Sequence, residues 1–574
     1  MAAGTTNTPP QTSKALAASL LEECNTLLSE LTFLQSHLAA TDKHNAVELR
    51  QFKSFVQSEL RSLNKLAEAA AKTNTPIEGR PSNNKNNNDD DGSDDGDAGE
   101  DEAEMRVLHS LRSSNLPFYS SVWNVGKSAC TGLIAFSKRF YWYKAKGPRG
   151  SDGDVTGGSA TPVSGTDLQR SLQGMHISAD GHKAVEENLK KAGLQKRSVL
   201  VDIVADNGEE WVKVSTVTPS RLLFELAKRG WEMGYDSASD EEETIRLQND
   251  DSDDDEDEIE LVKLATDMKK AAALVRVRYK HPRIRFVLPK IVEGKIPEVD
   301  SIIKEIRKTG VTVECGADIE TDSKSITAPN ETDNNNRQSK TMEEVLPTLL
   351  PVPYPHITPT LNVDCTLLLA LVSDLSHFHN IDPSSGHHRA IVRQIELEAK
   401  QPLVTSELWP AMGDRKLVCT EEAAKRMHEI VDTIGTATEK KRTKLIMGQT
   451  NPDCDRENLV AQFQELSDHK VPLDWNIPIK IVNAHGEIER GWKEDALPAQ
   501  AHEIASLLSD INRSVFLYGW ATGLMTISSN RTVAKQIEYL IEENRDGDDD
   551  LTGPLVWICD TARSLVGKES NRRA

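Results

Sequence analysis

Apolar residues recur at helical spacing from near the start of the chain. Leu16, Leu20, Leu27, Leu28, Leu31 and Leu34 fall largely three and four residues apart between Lys14 and Ala39, and Val47, Phe52, Val56, Leu60, Leu63 and Leu66 repeat the pattern from Asn45 to Ala71. Thr41 and Asp42 mark a turn between them, so residues 12–73 read as an antiparallel helical hairpin. Its stripe lacks a sustained heptad. It reads first as an arm packed on the chain's own domain, and second as a coiled coil that takes protein partners through residues 14–72.

Residues 74–104 are too polar to offset their ordering entropy and are expected to be disordered. Apolar and aromatic character returns over 105–145, read as a helical segment, and is followed by a Gly/Ser/Thr linker over 146–182. The period then changes. Val199, Val201 and Ile203 alternate with polar neighbours, Asp206-Asn207-Gly208 turns the chain, and Trp211, Val212 and Val214 return, which is a β-hairpin signal. With helices at Pro219–Trp231, Ile259–Val277 and Val299–Lys308 and strands at Ile284–Leu288 and Val311–Val313, residues 183–315 read as an α/β module. Residues 316–350 read as a linker.

In the C-terminal part, Leu361 and Val363 lead into Asp364, and an apolar run too long for one strand continues through Val372. A short strand therefore turns into a helix at Asp364. Ile391–Glu398 reads as a helix, Lys416–Val418 as a strand, and Thr420 as the cap of a helix from Glu421 to Ile434 that stops at Gly435. Ser514–Tyr518 reads as the last major strand. A domain over 351–545 and a tail over 546–574 follow.

Charge changes the picture less than the total of −22 suggests. Asp89–Glu104 holds ten acids and Asp236–Glu260 fourteen, and the rest of the chain is close to neutral, so no global argument against a phosphate-bearing partner holds. The second acidic run makes 236–257 a disordered insertion, and Ser93, Ser237, Ser239 and Ser252 stand in these segments as sites an acidophilic kinase could use. Seven scattered cysteines without a CxxC pair fit a reduced compartment. No signal peptide is read at Met1–Gln11, and no apolar stretch approaches the ~20 residues that span a bilayer. A cytoplasmic or nuclear protein with no membrane association is expected.

Four groups of residues suggest chemistry. The end of a parallel strand is where ligand sites gather, which singles out Asp364, although a helix N-cap explains it too. Lys138 to Lys144 interleaves cations with Phe140, Tyr141, Trp142 and Tyr143, as a single-stranded nucleic-acid surface would, or as the snorkelling end of a packed helix would. Asp202 with Glu210 and Lys213 is similar to the metal site of restriction-type nucleases, but the Glu-x-x-Lys spacing puts the last two on opposite faces of a strand. His377, His379, His387 and His388 fit no closed zinc pattern and read as a solvated loop.

Asp364-Cys365-Thr366 and the stretch Val418–Gly435 together resemble a eukaryotic family designated domain of unknown function 1308 (DUF1308), and Asp364 with Thr366 resembles the opening strand and helix of PIN-like nuclease domains. The resemblance implies an α/β fold with an N-terminal helical hairpin, a middle α/β module, a C-terminal PIN-like α/β/α domain and long disordered acidic insertions. It implies RNA as partner and Mg²⁺ or Mn²⁺ as cofactor, with Asp364 and Glu421 as catalytic and metal-ligating residues and Thr366, Glu422 and Asn530 in support. The family's Gly-loop and Thr/Ser-x-Asn element are matched at Gly519-Trp520-Ala521 and Ser528-Ser529-Asn530. Trp520 stands where an acid is expected, and no Asp or Glu occurs between Ile511 and Ile537. Hydrolysis by metal needs several carboxylates, so activity is expected to be weak or lost.

Overall fold

The computed structural model describes residues 12–41, 46–73, 98–145, 194–228, 258–316, 341–352, 354, 356–379, 381, 388–449, 455–559 and 562–566. The acidic insertion at 236–257, most of the linkers at 74–104 and 146–182, and His387 lie outside them. The architecture is mixed α/β, as expected. The described residues fall into two compact units: those up to Val277 together with His281–Val352, and Arg278–Lys280 together with those after Val352.

The first unit opens with α1 (Ser13–Ala40) and α2 (Arg50–Thr73). The Thr12 hydroxyl caps α1 by accepting from the Ala15 amide. Cys24, Leu27, Leu31 and Leu34 of α1 meet Phe52, Val56 and Leu63 of α2 in a cluster that also holds Trp123 of α4 (Leu116–Ala129) and Phe136, Ile203 and Val212 of the sheet. The hairpin's apolar stripe is thus buried inside its own unit. Between them, α3 (Ala98–Arg112) begins inside the stretch expected to be disordered, and its Glu104 carboxylate accepts from Ser13 N and Oγ at the start of α1.

The sheet of this unit has the order β1-β2-β3-β4-β5, formed by Ala135–Ala145, Leu194–Ala205, Glu210–Val214, Arg283–Leu288 and Thr312–Cys315. The first two pairings are antiparallel and the last two parallel. The β2–β3 turn lies at Asp206–Gly208, where Asp206 and Asn207 take positive φ as small polar residues do in tight turns. Helices α5 (Pro219–Lys228), α6 (Glu260–Ala272) and α7 (Pro297–Lys308) contribute to a second apolar cluster, with Trp211, Phe286, Met268 and Ile303.

Two expectations are corrected here. Residues 135–145 form strand β1, not the end of a helix, because its run of aromatic residues favours a half-buried pleated surface. The expected linker over 316–350 contains α8 (Met342–Leu349), started by a capping box of Thr341 and Glu344.

The second unit holds an all-parallel sheet of order β10-β9-β6-β7-β8. In chain order its elements are β6 (Thr360–Val363), α9 (Cys365–Val372), α10 (Arg389–Lys400), β7 (Lys416–Thr420), α11 (Glu421–Ile434), α12 (Ala437–Ile446) and α13 (Arg456–Gln464). Then follow β8 (Lys480–Val482), α14 (Ala484–Lys493), α15 (Ala501–Leu507), α16 (Asp510–Thr522), β9 (Met525–Ser528), α17 (Arg531–Glu543) and β10 (Val556–Ile558). Helix α11 has the bounds read from the sequence, with the Thr420 hydroxyl accepting from Ala423 N.

Ser514–Tyr518 is a correction: it lies in the middle of α16, not in a strand. Every residue from Ser514 to Trp520 is buried, and a helix buried all round shows no period that distinguishes it from a strand. The supposed tail is also corrected. Strand β10 pairs with β9, and Arg563 Nε meets Glu398 Oε2 at 2.6 Å as a buried ion pair. Among the described residues no helix is long and apolar enough to cross a membrane.

Candidate functional site

The carboxyl edge of the second sheet collects the residues that the sequence singles out there. Asp364 follows β6, and Glu421 follows β7. Asn362 is in register with Val418, so Asp364 stands level with Thr420, one strand spacing of about 4.8 Å away, and Glu421 begins α11 one residue on. On the other side of β6, the Asp364 amide donates to Ile527 O of β9 at 3.0 Å, which brings Ser528, Ser529 and Asn530 to the same edge.

Asp364 is 3% exposed. It occupies the N-cap position of α9, where its side chain makes no capping hydrogen bond of good geometry, although the Cys365 and Thr366 amides lie near enough to favour its ionised form. Instead Oδ2 accepts from Thr366 Oγ1 at 2.7 Å and from Ser528 Oγ at 2.6 Å. Each hydroxyl is held in turn by an amide: Ser529 N donates to Thr366 Oγ1 at 3.2 Å and Asn530 N to Ser528 Oγ at 2.9 Å. Burial raises the Asp364 carboxyl above the usual carboxylate range, and the Ser528 and Thr366 hydroxyls oppose that rise by bonding the ionised form. The neighbouring Cys365 thiol is pushed up to about 12, by burial and then by the Asp364 charge, and burial pushes Cys419 to about 12. Neither sulfur is a thiolate at neutral pH.

The remaining expected residues divide. Glu421 is exposed at the start of α11, and Glu422 beside it is half-buried with an Oε2 that has no hydrogen-bond partner among the described residues. Thr366 is bonded to Asp364. Asn530 spends its side chain on capping α17, Oδ1 accepting from Val533 N at 3.3 Å, so only its backbone joins the Asp364 network. Trp520 is buried within α16 and does not stand at a strand end. What the third strand brings to the edge is Ser528-Ser529-Asn530, hydroxyls and an amide in place of a carboxylate. Ser514 on α16 also reaches it: its hydroxyl donates to Ile511 O, so the Thr420 hydroxyl, 3.1 Å away, donates to Ser514.

Ser528 and Ser514 were not read as site residues. Ser528 was nonetheless named as the first residue of the Thr/Ser-x-Asn element, whereas Ser514 was hidden by the misread helix. Gly519 is likewise no loop glycine. A Cβ there would overlap the Thr526 hydroxyl, so its role is close approach of α16 to β9.

The donor set is therefore partial. Among the described residues no group of three or more His, Cys, Asp or Glu side chains is placed to hold a metal ion. The carboxylates that Mg²⁺ or Mn²⁺ would need are not assembled there, and no step is derived through such an ion.

The other candidate constellations resolve into structural contacts. Lys213 Nζ pairs with the buried Asp202 at 3.1 Å, while Glu210 pairs with Arg285 at 3.0 Å, so Glu210 and Lys213 serve different networks. His377 is fully buried, a correction to the solvated loop, with Nε2 2.8 Å from Leu371 O and Nδ1 3.0 Å from Ser467 Oγ. His379 packs edge to face on His469 at 4.4 Å, and His388 caps α10 by accepting from Ala390 N.

No curated protein and no solved structure matches the chain. A family model does: that of the family described as Protein of unknown function (DUF1308) matches residues 361–471, the stretch that carries β6, Asp364, β7 and Glu421.

Proposed function

We propose that the second unit is a PIN-like domain whose nuclease centre is reduced to a structural clamp, and that the protein acts on RNA by binding without efficient cleavage. The observation that carries this reading is the use of Asp364. Its Oδ2 is bonded by the half-buried Thr366 and the buried Ser528 hydroxyls, and the adjacent strand end presents Ser528-Ser529-Asn530 where a further carboxylate would be needed. Phosphodiester hydrolysis by metal requires ions fixed by several carboxylates against the phosphorus. One buried acid tied to hydroxyls, with Glu421 exposed beside it, does not supply that charge.

The alternative is a non-enzymatic scaffold that recruits partners through the helical arm and the acidic insertions; its arm loses support because the apolar stripe of α1 and α2 is buried in its own unit. The test is cleavage of a 5′-labelled single-stranded RNA by the full chain with Mg²⁺ or Mn²⁺, beside Asp364→Asn. The expected result is no cleavage that depends on Asp364. Robust metal-dependent cleavage that vanishes in Asp364→Asn overturns the proposal.

A further inference from the structure

Strand β1 is the edge of the first unit's sheet, and it outruns its neighbours. It pairs with β2 from Ala135↔Val204 to Ala145↔Leu194, whereas β3 reaches β2 only at Ile203–Ala205. From Lys138 and Val201 outward the two strands form a ribbon paired only to each other among the described residues. Ser137, at φ 53°, sits at its root between the paired residues Phe136 and Lys138.

The alternation of a strand divides the basic-aromatic cluster between two faces. Phe140 and Trp142 turn inward, Phe140 stacking on Trp211 at 3.8 Å and Trp142 being buried under Lys270. Arg139 and Tyr141 turn the other way, and their register partners Leu200 and Ser198 share that face. Arg139 Nη1 donates to Ser198 Oγ at 3.2 Å, Lys196 Nζ lies 4.3 Å from the Tyr141 ring centroid, and Tyr141 remains 46% exposed. An exposed aromatic ring with one cation against it and another on the same face is the unit from which single-strand-binding surfaces are built, a stacking face beside charges that follow the phosphates.

Charge picks the partner. Residues 135–145 and 194–201, which form the ribbon, carry five Lys and Arg and no Asp or Glu, in a chain of net charge −22. Such a concentration raises the local density of a polyanion, and an exposed tyrosine adds nothing to the binding of a smooth anionic surface but does stack a base.

We propose that the outer face of the β1–β2 ribbon, with Arg139, Tyr141 and Lys196 at its centre, is a binding surface for single-stranded nucleic acid. Phosphates lie on Arg139 and Lys196, and a base stacks on Tyr141. This surface belongs to the first unit and does not depend on how the Asp364 site is read.

The test is fluorescence anisotropy of the full chain with a labelled 20-mer of uridines and, separately, a 20-base-pair duplex, over a range of salt. Binding to the single strand is expected to exceed binding to the duplex. Tyr141→Ala is expected to weaken single-strand binding about tenfold, within the range of one lost base stack. Arg139→Ala with Lys196→Ala is expected to flatten the slope of log K against log salt by about 1.4, two phosphate contacts' worth on a single strand. All three side chains are exposed, so unchanged melting temperatures confirm that the variants fold. Absence of single-strand binding, or binding indifferent to these substitutions, overturns the proposal. So does displacement of the 20-mer by poly-glutamate as effective as by unlabelled oligo-uridine, which would make the ribbon a receptor for acidic protein segments.

Discussion

The Ser528 hydroxyl donates to Asp364 Oδ2 at 2.6 Å and joins the carboxyl ends of β9 and β6, two strands 164 residues apart in the chain. Thr366 donates to the same oxygen. Such hydroxyls also orient carboxylates that ligate metals, so it is the lack of further carboxylates around Asp364 among the described residues, and not its two bonds, that sets it apart from a metal site. Its chemistry is that of a clamp: remove the acceptor and two hydroxyls lose their partner together.

That arrangement separates two substitutions at one position. Asp364→Asn can keep its carbonyl oxygen where Oδ2 lies and accept both hydroxyls, so its stability at neutral pH is expected to equal or exceed that of the parent. Asp364→Ala leaves Thr366 and Ser528 without an acceptor, at about 1–3 kcal/mol for the buried Ser528 and less for the half-buried Thr366. The sign with pH follows from the raised carboxyl. A folded pKa above the unfolded value gives stability that is complete below the unfolded carboxylate range and is lost as pH rises through the folded pKa. Urea denaturation of both variants at pH 4 and pH 7 checks this. An Asn variant as damaged as the Ala variant would mean that the charge itself holds the edge together.

Gly519→Ala tests the correction to the glycine loop. The added methyl would overlap the Thr526 hydroxyl, which itself accepts from Asn362 Nδ2 at 3.0 Å, so the helix must move off the sheet or that bond must break. A loss of about 1–3 kcal/mol is expected from overpacking. A glycine in a mobile substrate loop would tolerate alanine, and an unchanged melting temperature would restore that reading.

The sequence carried the elements whose signals are local. Thr420 and Gly435 bracket α11 because a capping hydroxyl and a stop are properties of adjacent residues, and Asp364 was legible as the point where a strand becomes a helix. Where the outcome depended on surroundings, the reading failed. The run Ser514–Trp520 has apolar residues on all sides because α16 is buried all round, and nothing local marks it as a helix. Lys138 to Lys144 has the same residues in a helix or a strand, and only pairing with β2 turns Arg139 and Tyr141 away from Phe140 and Trp142. The partners of Asp364 are divided in the same way: Thr366 is two residues on, while Ser528, legible as part of an element, is brought to Asp364 only by the pairing of β9 with β6.

Arg442 gives a larger effect in the same unit. It is wholly buried, with Nη1 on Asp374 Oδ1 at 2.7 Å and on Val372 O at 2.9 Å, and Nε on Leu466 O at 2.9 Å. Thr436 and Thr438 complete the shell of Asp374, each at 2.6 Å. Arg442→Met leaves the Asp374 charge without its cation and is expected to cost about 3–5 kcal/mol. Arg442→Lys is not expected to rescue it, since one ammonium cannot serve three acceptors spread along a guanidinium fork. Thermal denaturation checks both, and a lysine variant as stable as the parent would show that charge alone suffices.

His377 makes stability depend on pH in the opposite sense to Asp364. Leu371 O can only accept, so Nε2 carries the proton and Nδ1 takes the Ser467 hydroxyl, which is the neutral tautomer. Burial, then the Arg442 charge, hold its pKa well below the usual histidine value, with Leu371 O opposing and His469 adding to the depression. Trp409 and Phe463 close the rest of its surroundings with rings that offer a second proton no acceptor. As pH falls below about 6.5 the unfolded chain takes up a proton that the folded chain refuses, so stability declines by up to about 1.4 kcal/mol per pH unit from this residue. His377→Gln keeps a donor and an acceptor but cannot titrate. Urea denaturation at pH 7, 6 and 5 is expected to show a shallower decline in that variant, by as much as one proton. An identical decline in the two proteins would mean that His377 charges within the fold and that Ser467 or water meets the second N–H.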